Sequence, residues 1–539
     1  MSSIYHTIRP LLPESSLLAG VAALGGFIAI SVVVNVVLQL LPLRSKNAPP
    51  MVFHYFPVIG STVTYGMDPY KFMFDNRKKY GDVFTFILLG RKINVALGPG
   101  GSNMILNGKL SHVNAEEAYT HLTTPVFGSD VVYDCPNHLL MEQKKFMKVG
   151  LSTDAFKSYI PLIRNEVLAH IEERIFGTKK DSHAASTVST PKDAVATGSQ
   201  ITICTAAVTL QGKEVREGLD ASFADYYHDL DGGFTPLNFM FPNLPLPSYR
   251  RRDEAHIKMR KFYLGIMEKR RESGSFDGEG HDMLQALQGV TYKNGHVLTD
   301  KEIAHMMIAL LMAGQHTSAA TSSWLLLHLA TRPDLQEALY EEQVKTYGRP
   351  DGTLEPLDYD RLQTPLLNST IREVLRLHPP IHSIMRKVVD DMPVTHLEGK
   401  QYVIKKGEYV LAAPGVTQID PLLWKDASEF IPQRWMGESN EVSQQLKDDA
   451  AGEVQDFGWG AISTGASSPY LPFGAGRHRC IGEQFAHVQL ASIVATLIRN
   501  VTWSLANGSD KVPDQDYTTM IVMPTKPRDI VYKRRSGSS

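Results

Sequence analysis

Cysteine is scarce in this sequence: 539 residues hold three, Cys135, Cys204 and Cys480. An odd, sparse set is a poor disulfide framework. None of the three forms a CxxC pair, which argues against a structural zinc or a ferredoxin-type cluster. A bias of charge is lacking as well. The formal balance is −2, so nothing electrostatic points to nucleic acid as a partner. No internal repeat is visible. Long uncharged apolar runs are missing too, with one exception.

That exception is Leu17 to Leu41, LLAGVAALGGFIAISVVVNVVLQLL, in which only Ser31, Asn35 and Gln39 are clearly polar. About 20 helical residues cross a hydrocarbon core of roughly 30 Å, so the run can span with some tilt. A signal peptide would be shorter and followed by a small-residue cleavage site. Here Pro42, Arg44 and Lys46 follow instead, as a stop. Arg9 lies before the run, and Lys71, Arg77, Lys78 and Lys79 extend the basic side after it. The positive-inside bias therefore predicts a short luminal tail (1–16), a transmembrane anchor (17–41), a Pro-rich membrane-proximal linker (42–60) and a cytosolic body (61–539).

Within the body, Asp68 caps a helix that begins at Pro69 and stops at Gly81, and two strands follow around Gly90-Arg91. Residues 178–200, 272–280 and 436–469 are rich in small or polar residues and read as surface loops, the last as a long exposed insertion. Tyr402 to Ala413 suggests a small sheet or hairpin. The sequons at Asn368 and Asn507 go unused if the body is cytosolic.

The clearest element is a helix opened by the capping box Thr299…Glu302 and closed at Arg332-Pro333. It is apolar on nearly every side, as a core helix should be. Its middle breaks that pattern: AGQHTS, Ala313 to Ser318, sets a glycine and polar residues where packing favours Leu or Ile. An interior glycine costs about 0.5–1 kcal/mol relative to Ala. Either a kink and satisfied polar network sit there, or the missing side chain makes room for a flat cofactor or ligand. Further on, Leu366 to Pro380 (LLNSTIREVLRLHPP) forms a helix in which Glu373 and Arg376 share one side. By themselves they read as a surface ion pair.

Cys480 lies in FGAGRHRCIG, Phe473 to Gly482, where glycines permit a tight turn and Arg477, His478 and Arg479 crowd one thiol. The apolar-periodic helix that follows starts beside it. Cationic neighbours and a helix N-terminus both favour thiolate. A catalytic nucleophile with His478 as base is one reading. A haem is the better one, since it needs an anionic axial sulfur and cations for two propionates.

The motifs together resemble the cytochrome P450 superfamily. Its haem signature FxxGx[RH]xCxG is filled by Phe473, Gly476, His478, Cys480 and Gly482, its ExxR pair by Glu373 and Arg376, and its third partner by Arg434 in PQRW. AGQHTS stands at the oxygen-activation motif. Closer resemblance, across essentially the whole chain, is to fungal sterol 14α-demethylases, through YTHLTTPVFGSDVVYDCPNHLLMEQKK, LDGGFTPLNFMFPNLPLP, HMMIALLMAGQHTS and HPPIHSIMRKV.

The resemblance implies a mainly α fold with small β-sheets, a single N-terminal transmembrane helix and residence in the endoplasmic reticulum membrane. It implies haem b on Cys480, with Tyr119, Tyr133, Lys144, Arg386 and His478 at the propionates. Substrate would meet Tyr119, Leu122, Thr123, Phe127, Tyr133, Phe234, Ile308, Gly314, Thr317, Ile381, Ser383 and Met520. Glu373, Arg376 and Arg434 would be a buried structural set, and Thr317 and His316 would act in catalysis. His316 stands where many P450s have an acid, so direct carboxylate relay gives way to histidine-assisted proton delivery. The implied reaction removes the 14α-methyl of lanosterol or eburicol as formate in three O2- and NADPH-dependent oxidations, in ergosterol biosynthesis. With no Rossmann or flavin module visible, electrons would come from NADPH-cytochrome P450 reductase, with cytochrome b5 as a further donor. Lys144, Lys145 and Lys148 offer a basic docking patch. Azoles would inhibit. The competing readings are a microsomal P450 hydroxylase of another apolar substrate and a non-enzymatic haem carrier.

Overall fold

The longest apolar segment is left uncovered. It forms helix α1 (Ser16–Leu40), long and apolar enough to cross a membrane, and none of its apolar window is covered by the rest of the chain. Two of its polar residues are tied down. The Gln39 side-chain amide donates to His54 O at 2.7 Å and accepts from His54 N at 3.1 Å. Asn35 Nδ2 donates to His54 O and Tyr55 O, both at 2.9 Å. Phe53, Tyr55, Phe56, Val58, Val63 and Met67 leave large apolar surfaces exposed beside this junction.

The computed structural model describes residues 16–41, 45–177, 186–219, 221–273, 282–395, 401–436, 454–455, 462–463 and 465–535. The expected luminal tail, the Pro42–Arg44 stop and most of the 436–469 insertion lie outside them. Where the insertion ends, Ala466 and Ser468 are buried rather than exposed, which shortens it.

The elements that build the site follow in chain order: α2 (Glu116–Phe127), α3 (Asn137–Met147), α4 (Ala194–Ala206), α5 (Ala221–Asp231), α6 (Pro247–Ser273), α7 (Asp300–Ala330), α8 (Pro365–Leu377) and α9 (Glu483–Asn500). One five-stranded sheet contains β1 (Val83–Leu88), β2 (Arg91–Ala96), β3 (Val113–Asn114), β4 (Ile384–Val388) and β5 (Tyr409–Ala412), in the order β1-β2-β5-β4-β3. Only β2 and β5 run parallel. The segment after α1 is stitched to this sheet, since Val52 N donates to Thr85 O and Thr85 N to Pro50 O.

Helix α7 runs through the core, opened by the Thr299/Glu302 capping box. Residues on α4, α7, α8 and α9 join one large apolar cluster, with Trp324, Leu367, Ile371 and Val488 among its fully buried members. Helix α4 corrects the end of the surface loop expected over 178–200, whose residues 178–185 lie outside the described ones. Asp193 caps it by accepting from Ala196 N, and it packs on α7 through small residues. At Gly198 an added Cβ would lie 2.9 Å from Ser323 Oγ. Close approach of two backbones requires small side chains, and a face of Ala, Thr and Gly lacks the bulky periodicity by which helices are recognised.

The expected sheet at Tyr402–Ala413 is present, divided between two sheets. Its two strands do not pair with each other. Gln401–Ile404 pairs with Met392–Thr395, whereas Tyr409–Ala412 enters the large sheet as β5. Asn368 of the first sequon is buried in α8.

Candidate active site

The structural set around Glu373 comes together in full. Glu373 and Arg376 are wholly buried one turn apart on α8. Arg376 Nη2 and Nε donate to the two carboxylate oxygens at 2.8 and 3.0 Å. Its remaining donors reach the carbonyls of Gln418, Ala427 and Glu429. Arg434 Nε reaches Glu373 at 2.9 Å, and Trp435 Nε1 and Ile431 N complete the shell at 2.8 and 3.0 Å. A buried ion pair survives only when every donor and acceptor is satisfied, as here. The surface-pair alternative is thereby removed. Trp435 was not anticipated, although it stands next to Arg434.

The loop that presents Cys480 is bent by Gly474 and Gly476, both at φ +66°. At Gly476 an added Cβ would come 2.4 Å from Leu106 O. Cys480 N donates to Phe473 O at 3.0 Å, and the Phe473 ring packs on His487. The Cys480 side chain is exposed, yet burial pushes its thiol up, against the opposing pull of the Gly482 N–H, Lys144 and Arg479. The thiol is thus surrounded by protein and still keeps free surface. The cations favour thiolate, as expected, but burial outweighs them; metal coordination deprotonates such a thiol.

An opening occurs on α7. Ala313 is exposed and Gly314 and Thr317 half-buried, although the helix to either side is buried. The nearest atom to an added Cβ at Gly314 is Leu210 Cδ1, at 3.8 Å. Thr317 Oγ1 donates to Ala313 O at 2.9 Å, back-bonding within the helix.

Groups expected at the propionates converge beside the loop. Lys144 Nζ donates to Arg477 O at 3.0 Å and Arg479 O at 3.1 Å, keeping one N–H in reserve. Lys144 thus turns inward, and the basic surface patch reduces to the exposed Lys145 and Lys148. Tyr119 and Tyr133 stack at 5.4 Å, and Tyr133 lies 5.9 Å from the His478 ring. Burial pushes the Tyr133 phenol up to about 12, so it remains a donor. His478 is held down to about 3 by burial and by Arg386, Lys144 and Arg477. Its Nδ1 is buried with no partner among the described residues. These residues fit a haem: an accessible thiol in a glycine-bent loop, a helix left uncovered at Ala313, Gly314 and Thr317, and phenols and crowded cations that could answer two carboxylates.

The expected substrate residues divide. Tyr119, Leu122, Phe234 and Met520 meet in one apolar cluster, together with Phe239, Met240 and Met385, which were not anticipated. Phe127 packs on Phe234 at 5.4 Å. Thr123 is buried and Ile381 exposed. Ser383 receives Tyr65 Oη at 3.5 Å and contacts His382 Nδ1 at 2.8 Å. Ile308 is wholly buried and belongs to a separate apolar cluster with α5, α6 and α7 residues.

His316 joins a network that sequence reasoning missed. Tyr227 donates its hydroxyl to Gln315 Oε1. His316 Nε2 lies 2.8 Å from the Tyr227 oxygen and 3.2 Å from Asp231 Oδ1. With the phenolic proton spent on Gln315, the proton on this contact belongs to His316 Nε2. The Asp231 side chain is 46% exposed against 18% for His316. A chain of polar atoms therefore leads from solvent toward the opening on α7. Burial lowers the His316 pKa and Asp231 raises it in opposition.

Comparisons with known proteins agree with this geometry. A family profile described as Cytochrome P450 matches residues 49–532. A lanosterol 14-alpha demethylase of Mycosarcoma maydis is 53% identical, over 96% of this chain and 94% of its own. An eburicol 14-alpha-demethylase of Uncinula necator is 51% identical, over 94% of each chain. The sterol 14-alpha demethylase cyp51A of Aspergillus fumigatus is 50% identical, over 94% of this chain and 96% of its own. Among solved structures, a retinoic acid-bound cyanobacterial P450, CYP120A1, superposes with a TM-score of 0.72 over 91% of this chain and 100% of that one; at 20% identity it speaks for the fold alone. The thiol loop, the buried Glu373 set and these matches converge: the chain belongs to the cytochrome P450 superfamily and, within it, to the sterol 14α-demethylase family.

Proposed function

We propose that this protein removes the 14α-methyl group of lanosterol or eburicol as formate, by three successive O2- and NADPH-dependent monooxygenations in ergosterol biosynthesis. The reading is carried by the accessible Cys480 in its glycine-bent loop and the uncovered Ala313–Thr317 stretch of α7, in a chain half identical to sterol 14α-demethylases over nearly its whole length. A haem, when bound, supplies the oxygen activation that no amino-acid side chain offers. In this reading Cys480 would hold its iron, and Tyr119, Tyr133, Lys144, Arg386 and His478 would hold its propionates. The apolar wall of Leu122, Phe127, Phe234 and Met520 suits a long, rigid, largely apolar sterol, which affords few polar handles. His316 passes protons inward from the solvent side of Asp231, whose carboxylate lies 3.2 Å from its Nε2. Thr317 releases its Ala313 hydrogen bond to hold water or a proton at the opening.

In the same reading α1 anchors the protein in the endoplasmic reticulum membrane with residues 61–539 in the cytosol. NADPH-cytochrome P450 reductase, with cytochrome b5 as a second donor, delivers electrons across the face bearing Lys145 and Lys148. Reconstitution with the reductase, NADPH and either sterol tests the proposal. The expected products are the 14-demethylated diene and formate; intact haem without sterol turnover overturns it. Hydroxylation of a fatty acid or alkane in place of the sterol would establish the competing reading.

A further inference from the structure

Helix α2 carries Tyr119, Leu122, Thr123 and Phe127, and its last turn cannot hold itself. Pro125 lies inside the helix, so one N–H of the ladder is missing. The final carbonyls of a helix have no partners within it, and buried carbonyls require partners from elsewhere. Histidines answer one of these, Val126 O, and a carbonyl just past the helix, Ser129 O. His256 of α6 contacts Val126 O through Nδ1 at 3.0 Å. His305 of α7 contacts Ser129 O through Nδ1 at 2.9 Å. A carbonyl only accepts, so both rings carry their proton on Nδ1. The rings lie 5.0 Å apart, and Gly128 passes against the second of them. Its φ is +102°, and any Cβ there would stand 2.4 Å from the His305 ring. His305 is 1% exposed, and burial holds it neutral, down to about 4. Neither histidine belongs to the proton route through His316.

We propose that His256 and His305 form a clamp that fixes the end of α2 and so sets the substrate wall where Phe127 meets Phe234. They are positioning residues for sterol binding and touch neither substrate nor haem. The inference rests on the sterol reading for its ligand and on α2 itself for its geometry.

The test uses the full-length holoenzyme in membranes with reductase. His305→Leu and His256→Leu remove each donor, whereas His305→Asn retains an N–H close to the Nδ1 position. Loss of one buried hydrogen bond is expected to raise the sterol KM roughly tenfold, with kcat changed by less than about twofold and the reduced CO absorbance unmoved. Amide exchange over residues 119–128 should quicken in both Leu variants, and the Asn variant should restore exchange and KM together. Unchanged KM and exchange in the Leu variants, or an Asn variant no better than Leu, overturn the clamp. A fall in kcat at constant KM does so as well. If the wild type turns over no sterol, the functional reading fails, and the exchange contrast still decides the clamp.

Discussion

Cys480 and His316 depend on their surroundings in opposite ways. Cys480 lies where burial favours the neutral thiol, so its charge must come from the metal it binds. Cys480→Ser should therefore abolish the reduced CO band at about 450 nm that marks thiolate haem, and activity with it. His316 owes its only upward pull to Asp231. Asp231→Asn removes that charge, so the His316 pKa falls further and its limb of the pH–kcat profile moves to lower pH. A kcat loss of roughly tenfold with little change in KM is expected, in line with the 10²–10⁴-fold worth of a positioned acid or base shared among several groups. Stopped-flow and steady-state assays across pH would read both. Cys480, Glu373 and Arg376 were legible from sequence because each carries its partners or its loop within a few residues. Asp231 and Tyr227 were not. They meet His316 from 85 and 89 residues away, by helix packing, and neither stands out in its own segment.

At the scale of elements, two glycines facing α7 and within it give contrary expectations. Gly198 on α4 lies against Ser323 Oγ and Ala319 O, with an added Cβ at 2.9 and 3.2 Å. Gly198→Val should overpack that crossing and cost about 1–3 kcal/mol, seen as a lower Tm of the holoenzyme. Gly314 has room for a methyl group. Gly314→Ala should stabilise α7 by about 1 kcal/mol through helix propensity, yet raise the sterol KM because the methyl occupies the opening. A higher Tm paired with weaker binding would assign that glycine to function rather than folding. The same contrast explains what the sequence revealed of these helices. Helix α7 declares itself by its capping box and apolar run. Helix α4 hides because the residues that fit it to α7 are small, and small residues also fill loops.

Across the whole molecule, histidines buried in neutral form tie stability to pH. Burial holds His170, His305 and His382 down to about 4, and His328 and His487 to about 3. Unfolded histidines take up protons near pH 6.5. Above that pH both states are neutral and nothing is lost. As pH falls from about 6.5 toward 4 the unfolded chain binds more protons, so stability drops, by up to about 1.4 kcal/mol per pH unit for each such group. Denaturant titrations at pH 7.5, 6 and 5 would show a falling midpoint; a flat series would contradict it.

The anchor was the plainest feature of the sequence, but the grip of Asn35 and Gln39 on His54 was not, because a polar residue near the end of a span has many innocent uses. Those hydrogen bonds make α1 a bracket instead of a rope. A body on a rope can roll, and must find its electron donor by searching both position and angle. A bracketed body keeps one face toward the bilayer, and a donor held in the same membrane then has only a planar search to complete. Asn35→Leu with Gln39→Leu should accordingly slow reduction by the reductase in vesicles by severalfold and leave it unchanged in detergent, where no common plane exists.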